Sequence, residues 1–179
     1  MDVACRYRTQ SSAFAAKVAA VPPDAWTAPT PCSEWDVRAL VRHVVETPAM
    51  FFSLVGERMA PCPGVDEDPA AAFACSSEQV QAALDDPARA GAEFDGYFGR
   101  STFAEAIDRF VCFDLVVHGW DLARATGQDE HVDPDEVQRL WKATELFGDA
   151  IRTAFGPAVE APPGADEQAR LLAYLGRRP

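Results

Sequence analysis

Basic charge, histidine and long apolar runs are all in short supply in this chain. Lys and Arg number 16 against 28 Asp and Glu, a net charge of −12. No basic stripe exists to neutralise a phosphate backbone, so neither nucleic acid nor an anionic membrane surface is expected as a partner. The uncharged stretch from Thr47 to Gly56 is about half the length that spans a bilayer. Arg6 and Arg8 precede an alanine-rich run that imitates a signal peptide, but Lys17 interrupts it. Val3, Tyr7, Phe14, Val18 and Val21 keep helical spacing there, with Ser11 as a polar gap. The expectation is a mature amphipathic helix in a cytoplasmic protein. The five cysteines (Cys5, Cys32, Cys62, Cys75, Cys112) are odd in number and have no CxxC spacing. Neither a disulfide framework nor a four-cysteine zinc site is expected, and each cysteine reads as a small buried hydrophobe. Cys112 stands nearest the candidate site. Glycine-rich phosphate loops and nucleophile-elbow serines are absent.

What the chain does have is an ordinary globular composition, 48% apolar and 25% charged over 179 residues. That length suits one domain over residues 1–179, which hides roughly 70% of the surface its unfolded form exposes. Five segments carry helical patterning, and none of useful length alternates as a strand. The first runs from Asp2 to Val21 and ends at Pro22-Pro23. Ser33 reads as the cap of the second, with Asp36 three residues on and an apolar stripe of Val37, Leu40, Val41, Val44 and Phe51; Pro48 is expected to kink it. The third lies between Asp68 and Leu84, with Pro69 in its first turn. Asp85 to Arg100 reads as a long connection. Ser101 is the expected cap of a fourth helix that stops at Gly127, and Asp133-Pro134 opens a fifth that reaches Phe155. A short terminal helix is expected from Asp166 to Leu175. Four long helices with one long crossover describe an all-α helical bundle, the alternative being an irregular all-α domain.

Of the three histidines, His131 lies in the polar loop Gln128-Asp129-Glu130-His131 and reads as solvated. His43 lies in the middle of the second helix. His118 follows Asp114 by four residues on the fourth, so the two share a helical face one turn apart. That face also carries Ile107, Phe110, Val111 and Val117, and a carboxylate among them is costly unless paired or metal-bound. Two readings stand. In one, His43, Asp114 and His118 bind a divalent metal, since two imidazoles and a carboxylate leave open positions on zinc, nickel or ferrous iron. In the other, Asp114 and His118 form an ion pair and His43 is a satisfied core histidine. Trp35 is expected to anchor the second helix, Trp120 to be structural, and Asp121 to pair with Arg124 three positions on.

Two segments carry a resemblance. Thr30-Pro31-Cys32-Ser33-Glu34-Trp35-Asp36-Val37-Arg38-Ala39-Leu40-Val41-Arg42-His43-Val44 resembles the N-terminal signature of the mycothiol-dependent maleylpyruvate isomerase family, part of the DinB-like metal-binding bundles common in actinobacteria. Val117-His118-Gly119-Trp120-Asp121-Leu122-Ala123-Arg124-Ala125-Thr126-Gly127 is similar to its second signature. Leu171-Leu172-Ala173-Tyr174-Leu175-Gly176-Arg177 resembles its usual ending. The resemblance implies a DinB-like four-helix bundle and a divalent metal, usually zinc, held by the histidine of each signature and an acid four residues before the second. His43 and His118 match those histidines. The acid, often Glu in the family, is Asp114 here, one methylene shorter. The chain is not expected to contain the isomerase's C-terminal domain.

The function expected on these grounds is a metal-dependent S-transferase or isomerase acting on a small electrophilic molecule with mycothiol as the thiol. Two alternatives use the same fold, the first of them without a metal. One is a small-molecule binding protein or cyclase of specialised metabolism. The other is a non-enzymatic module that sequesters a ligand or forms a homodimer through Phe51, Phe52 or Trp141.

Overall fold

Aspartate opens most of the helices. An N-terminal helix end leaves backbone N–H groups without partners, and a carboxylate one residue outside accepts from them while its charge complements the helix dipole. In the computed structural model, whose described residues are 2–96, 98–148 and 150–179, the chain forms α1 (Val3–Ala19), α2 (Val37–Leu54), α3 (Pro69–Leu84), a single turn α4 (Pro87–Ala90), strands β1 (Glu93–Gly96) and β2 (Gly99–Thr102), α5 (Phe103–Ala106), a π-helical turn (Ile107–Val111), α6 (Cys112–Thr126), α7 (Pro134–Phe147), α8 (Ala150–Phe155) and α9 (Glu167–Tyr174). Asp2, Asp36, Asp68, Asp86, Asp133 and Asp166 cap α1, α2, α3, α4, α7 and α9 in turn. Part of the acidic excess is thereby used in starting helices.

Several expectations are corrected. Ser33 does not cap α2; Asp36 itself does, accepting from Ala39 N at 2.8 Å. The cap before Phe103 is Thr102 rather than Ser101, in a reciprocal capping box with Glu105. α2 continues through Pro48 to Leu54. Hydroxyls serve carbonyls beside the lost donor: Thr47 Oγ1 donates to the His43 carbonyl and Ser76 Oγ, from α3, to that of Val45, each at 2.8 Å. The stretch read as a long connection folds into α4 and an antiparallel hairpin, Glu93 opposite Thr102. The expected fifth helix is two helices, because Gly148 at φ +50° ends α7. Cys62 and Cys75 form a disulfide that ties the loop before α3 to that helix, with Cα atoms 5.7 Å apart. Cys5 is exposed, leaving Cys112 as the cysteine that is fully buried as expected.

α6 organises the interior. From Cys112 to Ala123 every residue except Asp114 is buried, so this helix is covered all round. On one side Leu115 and Leu122 join Tyr7, Phe14 and Val18 of α1, Leu40 and Val44 of α2, and Phe73 and Val80 of α3. On the other, Phe113, Val116 and Val117 meet Val137 and Leu140 of α7, Ile151 of α8 and Leu171 of α9. The result is a mostly helical fold in which His118 and Asp121 of α6 meet neighbouring elements rather than water. No helix among the described residues is long and apolar enough to cross a membrane.

The position of α2 depends on its first turn. Removing the cap with Asp36→Ala is expected to cost about 1 kcal/mol and lower the melting temperature by about 2–4 °C. A thermal melt unchanged from the wild type would show that the neighbouring backbone contacts of Val37 and Arg38 suffice.

Candidate metal centre

Asp114, His118 and Asp121 follow one another at intervals of four and three, which draws a polar stripe down an otherwise apolar helix. His43 comes to meet that stripe from α2. Its Nε2 lies 3.3 Å from Asp114 Oδ2, and His118 Nε2 lies 3.9 Å from Asp114 Oδ1. The two imidazoles stand edge to face with centroids 5.1 Å apart. The three residues named from spacing are thus brought together, each with one ligand atom within 4.8 Å of the others'.

Behind His118 a second group of polar residues closes the site. His118 Nδ1 lies 3.0 Å from Asp121 Oδ2, and Asp121 is fully buried. Arg177 grips the same carboxylate, Nε to Oδ1 at 3.1 Å and Nη2 to Oδ2 at 2.7 Å. Burial opposes the charge on Asp121, but the hydrogen bonds from His118 and Arg177 outweigh it and hold the carboxyl below its ordinary range. Asp121 therefore does not pair with Arg124, which instead meets Glu130 at 2.7 Å. The Cys32 thiol donates to Asp121 Oδ2 at 3.4 Å and receives Arg177 Nη2 at 3.2 Å. Burial pushes that thiol up to about 12, the Asp121 charge adding to the shift and Arg177 opposing it.

Local sequence explains these placements. Thr30 Oγ1 accepts from Cys32 N and donates to the Trp35 carbonyl, and Trp35 N donates back to the Cys32 carbonyl, folding 30–35 into a tight turn over the site. Trp35 lies against both imidazoles, with centroids 4.6 Å from His43 and 5.7 Å from His118. At the other end of the chain Gly176 adopts φ +81°, and a Cβ there would sit 2.9 Å from the Phe155 carbonyl. Glycine alone fits, and the reversal it makes, with Arg177 N bonded to the Leu172 carbonyl, swings Arg177 under Asp121. The Arg177 guanidinium also covers the Phe155 ring at 5.0 Å.

Among the described residues, two groups can hold a metal ion: Cys32–His118–Asp121 and His43–Asp114–His118. The chemistry of the donors separates them. In the first group Cys32 is held as a thiol and both Asp121 oxygens accept from arginine, so the lone pairs are engaged. In the second, the Nδ1 contact with Asp121 leaves His118 Nε2 directed at Asp114, the carboxylate–histidine arrangement that supports a ligating imidazole. Donor atoms about 2.0–2.1 Å from zinc at tetrahedral angles lie roughly 3.3 Å apart. The His43–Asp114 separation matches that spacing and the others are wider. The second group fits a divalent ion.

His43 and Asp114 also line a cavity of about 1050 Å³ bounded by α2, the hairpin, the π turn and α8, with Phe51, Phe110, Phe113 and Phe147 in its wall. Ligand pockets commonly measure about 300–1,000 Å³. Phe51 and Phe52, read as dimer contacts, are buried. Cys112 is not at the site either: it packs in the core among Tyr7 and Ile107, its thiol pushed up to about 12 by burial with Arg6 opposing.

The family described as the mycothiol maleylpyruvate isomerase N-terminal domain matches residues 7–123. The chain belongs to that family. Two uncharacterized proteins of Mycobacterium tuberculosis, one from strain CDC 1551 and one from strain H37Rv, are each 30% identical to it across 99% of this chain and 98% of their own. No solved structure matches it. His43, His118 and Asp121 fall inside the family's span, whereas Arg177 lies beyond it. Cys32, Asp121 and Arg177 were not singled out from sequence as parts of the site. The interval of three from His118 to Asp121 was the available signal.

Proposed function

We propose that this family member is a metal-dependent enzyme that uses a low-molecular-weight thiol, mycothiol, as an S-transferase or isomerase on a small electrophilic molecule. Its scaffold is a DinB-like four-helix bundle of α1, α2, α3 and the continuous helix 103–126. The reading rests on one observation: His43 and Asp114 converge with the buried His118, and the first two line an apolar cavity. Zinc is the favoured ion, with nickel or iron as alternatives. His43, Asp114 and His118 would hold the ion with a position left for a further ligand, and the chemistry it would supply there is to keep a thiol sulfur deprotonated near neutral pH.

The chain's own residues do the rest. Asp121 accepts from His118 Nδ1, which fixes the tautomer and leaves the Nε2 lone pair to ligate. Arg177 balances the Asp121 charge, both side chains being buried. Trp35 flanks both imidazoles and limits their rotation. The phenylalanine wall excludes solvent from the electrophile, which favours attack by sulfur over hydrolysis. A thiolate adding to the electrophilic carbon of an activated double bond forms one C–S bond as the π bond breaks, its electron pair moving onto the neighbouring atom and there taking a proton from solvent. Retention of that bond gives a conjugate, whereas its cleavage after rearrangement returns the thiol and an isomer.

Cobalt-substituted protein tests the reading. Adding mycothiol is expected to produce a sulfur-to-cobalt charge-transfer band that the Asp114→Ala/His118→Ala variant lacks. Conjugation of mycothiol to a model electrophile is expected to exceed the uncatalysed rate only in the metal-loaded protein. A thiol that neither changes the cobalt spectrum nor reacts faster overturns the proposal.

A further inference from the structure

Most arginines near the core of this acidic chain face a carboxylate: Arg6 meets Glu136, Arg89 meets Glu57, and Arg177 meets Asp121. Arg109 is different. With 28 acidic residues available against 16 basic ones, its guanidinium has no hydrogen bond or ion pair among the described residues, although its charge does reach Glu105. It lines the cavity that His43 and Asp114 also line, and is the one Lys or Arg among the lining residues. The π turn accounts for its direction. Asp108, its neighbour, is taken toward α1 by Arg6 at 2.8 Å, while Arg109 and Phe110 are turned into the cavity. π turns of this kind recur at functional sites.

A guanidinium without a hydrogen-bond or ion-pair partner among the described residues, in an aromatic cavity, recognises an anion, and the surroundings narrow the class. Phe98, Phe110 and Phe147 lie beside one another with centroids 5.4–6.0 Å apart, which suits a flat apolar body. The lining also contains Glu46, Asp95 and Asp114. Three acids against one arginine repel a dianion such as a phosphate monoester and tolerate a single negative charge. A carboxylate matches the guanidinium fork with two parallel hydrogen bonds. We infer that Arg109 is the carboxylate-recognition residue of this cavity, and that the molecule acted on is an apolar or aromatic monocarboxylate. The inference deepens the proposed function and rests on the same cavity, but not on the metal.

Calorimetric titration with naphthalene-2-carboxylate and its neutral isostere naphthalene-2-carboxamide tests it, in chelator-treated and in zinc-loaded protein. The acid is expected to bind about tenfold or more tightly than the amide in both forms, because a charge-assisted bidentate contact is made only by the acid. Arg109→Met should bring that ratio to about one while leaving the amide's affinity unchanged, which also certifies the folded cavity. Arg109→Lys should keep part of the preference as a point charge. An unchanged ratio in Arg109→Met, or failure of both probes to bind the wild type, overturns the inference. If the preference appears only with zinc and survives Arg109→Met, the ion recognises the acid, so this inference falls and the metal centre stands. An Arg109-dependent preference in protein that takes up no zinc on loading leaves the inference standing and removes the metal-dependent reading.

Discussion

His118→Ala is expected to strip the protein of metal. Wild-type protein purified without chelating resin should hold close to one divalent ion per chain by elemental analysis, and the variant only background. Loss of an outer partner of a ligating histidine alone costs about 10–100-fold in metal affinity, and loss of one of three ligands costs more. His118 is almost fully buried against Asp121, so its removal also disturbs packing. His43, with a side chain 32% exposed, gives the cleaner variant, and His43→Ala should lose metal while melting close to the wild type. Asp121→Asn separates the ligands from their support. It keeps the shape of the side chain but weakens the hold on the His118 tautomer, and should fall between wild type and His118→Ala. Occupancy should also decline in acid, because protons compete with the ion for both imidazoles. Equal metal in the wild type and in the His43→Ala/Asp114→Ala/His118→Ala variant would sink the assignment.

That Asp114 and His118 share a face was legible in the sequence for a simple reason, whereas His43 was joined to them by the resemblance. A four-residue interval fixes a face whenever the segment is helical, and the apolar run around Phe113–Val117 left little doubt of that. Asp121 was legible on the same grounds, since the interval of three continues the stripe, but a nearby Arg124 offered a cheaper local partner. Distance along the chain decided otherwise. Arg177 lies 56 residues away, and nothing in its own neighbourhood signals an inward arginine except the glycine before it. The disulfide was missed for a related reason: Cys62 and Cys75 meet only because the loop before α3 folds back along the helix, which no spacing rule encodes. The segments 30–44 and 117–127 and the ending 171–177 carried the resemblance as separate strings. In the fold they become one object, because Cys32, His118, Asp121 and Arg177 touch.

Replacing Arg6 with alanine is expected to cause the largest loss of stability, about 3–5 kcal/mol, from a site the function does not use. Arg6 on α1 donates to both Glu136 oxygens on α7, with Nη2 to Oε2 at 2.5 Å, and to the Asp108 carbonyl and carboxylate in the π turn at 2.9 and 2.8 Å. Burial works against its charge, but the hydrogen bonds to Glu136 and Asp108 win and raise its pKa above the ordinary arginine value. Both Arg6 and Glu136 are almost fully buried. The loss therefore comes chiefly from the charge left behind. Glu136 would keep only Arg139, at 3.6 Å and half-exposed, which cannot replace a bidentate buried partner. At about 2–4 °C per kcal/mol for a chain of this size, the melting temperature should fall by about 6–20 °C. A double-mutant cycle distinguishes this account from simple loss of packing. Because a buried pair often contributes little over apolar residues of similar volume, Arg6→Met/Glu136→Leu should recover most of what Arg6→Met alone loses. Losses that merely add in the double variant would mean that α1 and α7 are held by shape, with the ion pair contributing nothing specific. Recovery would mean that the loss comes from the Glu136 charge left buried without its partner rather than from lost packing between α1 and α7.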